Sequence, residues 1–226
     1  YETGVRIPSI CFSGHRRYPL GSNDPVLEEK SLELMKKCIE LAQDLGVRTI
    51  QLAGYDVYYE EKSPQTRQRF IKNLRKACDW AEEAQVVLAI EIMDDPFINS
   101  IEKYLAVEKE IDSPYLFVYP DIGNVSAWHN DVYSEFYLGH HAIAALHLKD
   151  TYAVTESSKG QFRDVLFGQG CVKWEEAFDI LKQTNYNGPF LIEMWSENCE
   201  TVEETRAAIQ EAQAFLYPLI KKAGLM

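Results

Sequence analysis

The sequence lacks several features that would point to common classes of protein. It has no apolar run near the roughly 20 residues that a membrane-spanning helix needs, and no glycine-rich phosphate turn follows its first predicted strand. Its five cysteines are odd in number and widely spaced, without a CxxC pair, which is typical of reduced thiols in a cytoplasmic protein. Acidic residues outnumber basic ones by 35 to 23, and the resulting charge of −12 argues against nucleic acid as a partner.

The composition is that of an ordinary globular domain. Apolar residues make up 46% of the chain and charged residues 26%, and 226 residues suffice for one sizeable core. No linker or change in composition divides the chain. We therefore predict a single domain over residues 1–226, without a membrane-spanning segment.

Short apolar runs alternate with helical patterns, in six strand–helix units at a spacing of roughly 35 residues. Such alternation predicts a parallel α/β sheet. The predicted strands are Val5–Phe12, Thr49–Leu52, Val86–Glu91, Tyr115–Asp121, Ile143–His147 and Pro189–Glu193.

Helices are predicted between these strands. The first runs from about Pro25 to Leu45, and the second starts at Pro64 with Ser63 as its cap. The apolar face predicted for the first helix consists of Leu27, Leu34, Cys38, Leu41 and Leu45. Residues 121–128 and 150–170 are predicted to be loops.

Metal-ligand side chains stand at the carboxyl ends of four successive strands: Glu91, Asp121, His147 and Glu193. The carboxyl ends of parallel strands meet at one edge of the sheet, and a (β/α)₈ barrel carries its functional residues there. Six units are two short of that barrel, and residues 1–4 resemble the tail of a helix. We therefore expect a TIM barrel whose first two βα units are missing from this sequence; a complete open sheet of six strands is the alternative.

Two glutamates, one aspartate and one histidine form an oxygen-rich set of ligands with a single imidazole. This set predicts one divalent ion, first Mn²⁺ or Zn²⁺, with Mg²⁺ or Co²⁺ as alternatives. Taken singly, a buried glutamate at a strand end is more often part of a structural ion pair. Four such residues at the ends of consecutive strands favour the metal site.

The motifs around these residues resemble those of the xylose-isomerase-like TIM barrels, and within them the L-ribulose-5-phosphate (L-xylulose-5-phosphate) 3-epimerase family of ascorbate and related sugar catabolism. The motifs are Leu88-Ala-Ile-Glu-Ile-Met-Asp94, Tyr119-Pro-Asp-Ile-Gly-Asn124, Leu146-His-Leu-Lys-Asp150 and Leu191-Ile-Glu-Met-Trp195. The resemblance implies that Glu91, Asp121, His147 and Glu193 are the metal ligands.

The resemblance also implies a reaction, the metal-dependent interconversion of L-ribulose 5-phosphate and L-xylulose 5-phosphate. Inversion at C3 through an enediolate needs a base on one face and an acid on the other. Glu91 and Glu193 lie on well-separated strands and are predicted to share these catalytic roles. The predicted partner is thus a small phosphorylated ketopentose, and a homo-oligomer is left open.

The residues predicted to bind the substrate lie in one loop and close to strand ends. The loop at His15 and Arg16 and the side chain of Lys149 are candidates for the phosphate, with a solvated loop as the alternative for the first two. Asn124 and Trp195 follow strand ends and are predicted to contact the substrate.

Other functions remain open on the same residues. An aldose–ketose isomerase, or an epimerase of a non-phosphorylated ketose, would use the same metal site. A DNA-repair endonuclease of the same superfold would need more histidine and carboxylate ligands than this chain, with five histidines, supplies. A sugar-binding barrel without catalysis would not need two opposed glutamates.

Overall fold

The structure is a computed structural model that describes residues 2–226. Tyr1, which belongs to the predicted helix tail, lies outside the described residues. The chain forms two compact units. The first contains the residues up to Ile98 together with Lys103–Tyr119, and the second contains Asn99–Glu102 together with Pro120–Met226.

The first unit is built on a parallel sheet of four strands arranged in chain order. The strands are β1 (Ile10–Phe12), β2 (Thr49–Ala53), β3 (Val87–Glu91) and β4 (Leu116–Tyr119), and the connecting helices are α1 (Pro25–Leu45), α2 (Pro64–Ala84) and α3 (Ile101–Ile111). Leu88, Ala89 and Ile90 of β3 are fully buried, as expected for a strand covered on both faces.

The start of α2 follows the sequence signals. The Ser63 hydroxyl accepts a hydrogen bond from the Thr66 amide, the Thr66 hydroxyl accepts one from the Ser63 amide, and Pro64 occupies the first turn. This reciprocal pair satisfies two amides that the helix leaves without partners. The predicted cap at Ser63 is therefore confirmed.

The second unit contains a pair of parallel strands and four helices. These are α4 (Ile122–Ala127), α5 (Val132–Gly139), β5 (Leu146–Leu148), α6 (Trp174–Gln183), β6 (Phe190–Ile192) and α7 (Val202–Ala223). Its core is aromatic and aliphatic, with Phe136, Leu146, Phe178, Leu181 and Leu216 almost fully buried. Every pairing between the six named strands is parallel, which confirms the predicted strand count and direction.

Three local predictions differ from the structure. The first strand is shorter than expected, because Val5 and Ile7 are mostly exposed and only Ile10–Phe12 pairs. The strand before His147 likewise begins at Leu146. Residues 122–127, predicted as a loop, form α4, because the carboxylate of Asp121 caps the helix by accepting from the Asn124 amide at 2.8 Å.

The buried face of α1 also differs from the prediction. Leu41 and Leu45 are about half exposed, at 47% and 51%. The buried positions of the helix are Ser31, Met35, Cys38, Ile39 and Ala42. Cys38 belongs to both sets, so that part of the prediction is confirmed. Both sets have helical spacing, and spacing alone does not decide which face is buried.

Two further predictions concern the chain as a whole. That residues 1–226 form one domain, and that this domain is incomplete at its N-terminus, stay predictions. No helix within residues 2–226 has both the length and the apolar character to cross a bilayer.

The two faces of α1 can be distinguished by a matched pair of variants. Met35→Ala should lower the free energy of unfolding by about 2–5 kcal/mol, because it opens a cavity at a fully buried position. Leu41→Ala should lower it by less than about 1 kcal/mol. Urea unfolding followed by circular dichroism measures both. An equal loss in the two variants would instead place Leu41 on the buried face.

Candidate metal centre

Three of the predicted ligands lie together in the second unit. Asp121 forms a parallel bridge with His147 of β5, and the Glu193 amide donates to the Leu148 carbonyl oxygen at 3.0 Å. These backbone contacts hold Asp121, His147 and Glu193 at one edge of the paired strands. His147 lies in the middle of the short β5 and not at its last residue.

The side chains of these three residues converge. The Nδ1 atom of His147 lies 3.2 Å from Oε2 of Glu193 and 3.9 Å from Oδ2 of Asp121. One ligand atom from each residue falls within 4.8 Å of the others. The Asp121 side chain is fully buried, and those of His147 and Glu193 are 12% and 18% exposed.

A lysine contacts both carboxylates of this group. The ammonium nitrogen of Lys149 lies 3.0 Å from Oδ2 of Asp121 and 3.2 Å from Oε2 of Glu193. The Lys149 side chain is only 9% exposed. Because the ammonium is shielded from water, these ion pairs are much less screened than pairs on the surface.

The two carboxyl groups have pKa values shifted in opposite directions. Burial raises the pKa of Asp121 well above its usual value, and the negative charge of Glu193 adds to this against the opposing charge of Lys149. Burial acts in the same direction on Glu193, but the hydrogen bond with His147 and the charge of Lys149 outweigh it and lower its pKa. The pair therefore carries its negative charge first on Glu193.

This donor set fits a divalent cation. Carboxylate oxygens and one imidazole nitrogen are ligands that Mn²⁺, Zn²⁺, Mg²⁺ and Co²⁺ accept, and no thiolate belongs to the group. The buried carboxylate of Asp121 resists ionisation beside Glu193, and a second positive charge at the group would relieve that repulsion.

Glu91, the fourth predicted ligand, belongs to the first unit. It is the last residue of β3 and is buried, and its carboxylate accepts a hydrogen bond from the side-chain amide of Gln51 on β2. Glu91 pairs in register with Tyr119 of β4, and the chain continues from Tyr119 to Asp121 within two residues. Its role as a metal ligand stays a prediction.

His15 and Arg16, predicted to bind substrate, also lie in the first unit. His15 is buried, and burial lowers the pKa of its imidazole to about 3, so the ring carries no positive charge for a phosphate at neutral pH. The Arg16 guanidinium donates to the Tyr55 hydroxyl at 3.2 Å and lies over the ring of Tyr58. Both substrate-binding roles stay predictions.

A cavity of about 340 Å³ adjoins the ligand group in the second unit. Lys149, Glu193 and Trp195 line it, and the guanidinium of Arg163 stacks 3.8 Å from the centre of the Trp195 ring. Asn124 instead lies buried in α4, where its amide fixes one oxygen of Asp121. The structure thus brings the predicted Lys149 and Trp195 to one cavity with Glu193.

The family is decided by comparison with known proteins. The family model described as xylose isomerase-like TIM barrel matches residues 1–219. The chain belongs to the xylose isomerase-like TIM barrel family. This confirms the fold class and the family resemblance predicted from the motifs at the strand ends.

Two relatives within the family match the whole chain. SgbU of Haemophilus influenzae is 51% identical over 225 residues, which are 100% of this chain and 78% of that protein. The L-ribulose-5-phosphate 3-epimerase UlaE of Escherichia coli O157:H7 is 48% identical over 225 residues, covering 100% of this chain and 76% of UlaE.

A solved structure shares the fold at lower identity. The structure of an L-ribulose 3-epimerase superposes with a TM-score of 0.78 and 18% identity, over 98% of this chain and 77% of that chain. At this identity the likeness supports the shared TIM-barrel fold alone.

In this member of the xylose isomerase-like family, two supporting residues were missed by the sequence analysis. One is Gln51, which donates to Glu91; its signal was a polar side chain inside the apolar strand β2, since a buried amide needs a partner. The other is Asp150, which stands directly after Lys149.

The carboxylate of Asp150 accepts hydrogen bonds from the segment of residues 168–174. Its Oδ2 accepts from the amides of Gly168 at 2.8 Å and Gly170 at 3.1 Å and from the indole of Trp174, and its Oδ1 accepts from Thr151 and Val172. A Cβ atom at Gly170 would lie 2.0 Å from Oδ1. The glycine is therefore required for this close approach.

Replacing Asp150 should loosen that segment. Asp150→Asn puts an amide donor where backbone amides point, so we expect much faster hydrogen exchange at Gly168 and Gly170. We also expect a loss of about 3 kcal/mol in unfolding free energy, since hydrogen bonds to a charged group contribute about 1.5–3 kcal/mol each. Exchange followed by NMR measures the first effect. Asp164→Asn, at an exposed position just before that segment, is the control; equal protection in both variants would contradict the role of Asp150.

Proposed function

We propose that this protein is a divalent-metal-dependent isomerase, an epimerase that interconverts L-ribulose 5-phosphate and L-xylulose 5-phosphate by inversion at C3. The observation that carries the proposal is the 48% identity to UlaE over 100% of this chain. The match extends over the full chain, and so over the strand ends on which such a site is built. We also propose, as the family resemblance implies, that the reaction belongs to ascorbate and related pentose catabolism.

The proposed metal ligands are Glu91, Asp121, His147 and Glu193. The convergence of the last three in the second unit supports the assignment, as does the register of Glu91 with Tyr119. When bound, a divalent ion supplies Lewis-acid polarisation of the substrate carbonyl. The donors suit Mn²⁺ or Zn²⁺ first, and Mg²⁺ or Co²⁺ also.

The proposed catalytic residues are Glu91 and Glu193. Inverting C3 requires one group to remove the proton and a second group to deliver a proton to the opposite face, with an enediolate between the two steps. His147 and Lys149 keep Glu193 in its ionised form, which is the form that a group removing a proton must have. The hydrogen bond from Gln51 would orient Glu91 for the second role. The two glutamates exchange roles in the reverse direction.

The proposed substrate site includes the cavity beside Glu193. Its volume of about 340 Å³ lies in the range of small-molecule pockets, and Lys149 and Trp195 contribute a cation and an aromatic face. Contacts from His15, Arg16 and Asn124 remain predictions from the sequence, as do a cytoplasmic location and a homo-oligomer.

The site of proton exchange tests the reaction directly. With L-ribulose 5-phosphate in D₂O, we expect L-xylulose 5-phosphate with deuterium at C3, because the proton delivered comes from a second, solvent-exchanged group. NMR of the product measures it. Product that retains protium at C3 would rule out two separate bases. Deuterium at C1 with an aldose product would replace the epimerase by an aldose–ketose isomerase.

The two glutamates can be tested by substitution. Glu91→Gln and Glu193→Gln should each lower turnover by about 10³-fold or more, since a positioned base contributes about 10²–10⁴ and a metal ligand is lost as well. Metal content must be measured in parallel by elemental analysis. Glu176→Gln is the control, because Glu176 pairs with Lys173 at an exposed position of the same unit, outside the ligand set and the cavity. Full turnover in either ligand variant would refute the assignment.

A further inference from the structure

The contacts of Lys149 give it a role beyond substrate binding. Its ammonium group touches Oδ2 of Asp121 and Oε2 of Glu193, the same two oxygens that lie nearest Nδ1 of His147. Asp121, Glu193 and the imidazole of His147 are also the groups that would hold a divalent ion. The inference therefore rests on the proposed metal site.

The orientation of the ligands does not require Lys149. Asp121 is fixed through its other oxygen by the Asn124 amide and through its backbone by the bridge to His147. Glu193 is held by the Leu148 carbonyl oxygen, which accepts from its amide, and by the contact with His147. What Lys149 adds to the group is charge.

We propose that Lys149 is the resident counter-ion of the Asp121–Glu193 pair, and that a divalent ion binds in competition with its ammonium group. Two carboxylates this far from water need positive charge beside them. A divalent ion held by these carboxylates would repel the neighbouring ammonium group. Lys149 therefore stabilises the protein without metal and weakens metal binding.

The cavity gives the displaced side chain somewhere to go. Lys149 lines the space of about 340 Å³ next to Glu193, so its stem can turn away from the carboxylates without unfolding β5. The two charges of the ion then take the place of the single charge of the ammonium group, which comes to lie at the wall of the cavity.

The experiment is a titration of chelator-treated protein with Mn²⁺ alone, by calorimetry, together with melting temperatures at zero and saturating Mn²⁺. Lys149→Met removes the charge and keeps the apolar stem, and Lys149→Gln keeps a hydrogen-bond donor. Lys222→Met is the control, because Lys222 pairs with Glu175 at an exposed site of the same unit.

Both Lys149 variants should bind Mn²⁺ about tenfold or more tightly than the unmodified protein, because a repelling charge has been removed. They should melt lower without metal and close to the unmodified protein with it, while Lys222→Met changes neither quantity. If Lys149→Met is recovered only with metal bound, competition with a chelator measures its affinity.

Two results would overturn the counter-ion role. Weaker Mn²⁺ binding in both variants would make Lys149 a residue that orients the ligands, and unchanged binding would mean that ammonium and metal do not compete. Failure of the unmodified protein to bind Mn²⁺, Zn²⁺, Mg²⁺ or Co²⁺ is a separate outcome, which refutes the proposed metal site itself.

Discussion

Two carboxylates, Asp121 and Glu193, are held side by side and almost out of contact with water, and the second unit is arranged to make that pair stable. Such a pair needs positive charge and fixed donors around it. Lys149 provides the charge, His147 binds Glu193, and the Asn124 amide occupies the remaining oxygen of Asp121. Strand pairing delivers these residues together, because Asp121 and His147 are bridged neighbours and Glu193 follows the strand paired to β5.

Much of this arrangement could be predicted from the sequence. Short apolar runs ending in a carboxylate or an imidazole repeat along the chain, and parallel pairing brings the ends of neighbouring strands to one edge. This pattern predicts that Asp121, His147 and Glu193 lie together, and strand–helix alternation predicts the parallel pairing of the strands. Ser63 and Pro64 predict the start of α2 correctly, because capping depends only on residues that are neighbours in the sequence.

What could not be predicted depends on contacts between distant residues. The predicted buried face of α1 is right at Cys38 and wrong at Leu41 and Leu45, because a hydrophobicity pattern gives weight to leucines and little to small residues such as the buried Ser31 and Ala42. The helix α4 was missed because its six residues have weak helix propensity and depend on the cap at Asp121. The burial of His15 and the acceptor role of Asp150 follow from segments that fold back from elsewhere in the chain.

The close approach at Asp150 has a consequence for how the chain can vary. Asp150 and Gly170 are 20 residues apart in sequence, yet a Cβ atom at 170 would overlap both the carboxylate of Asp150 and the backbone carbonyl oxygen of Thr151. A change at Asp150 would remove only the first of these two overlaps, so the requirement for glycine at 170 stays in place. A larger residue at 170, in contrast, would disturb Asp150 as well as the backbone. The dependence between the two positions therefore runs in one direction, from 170 to 150.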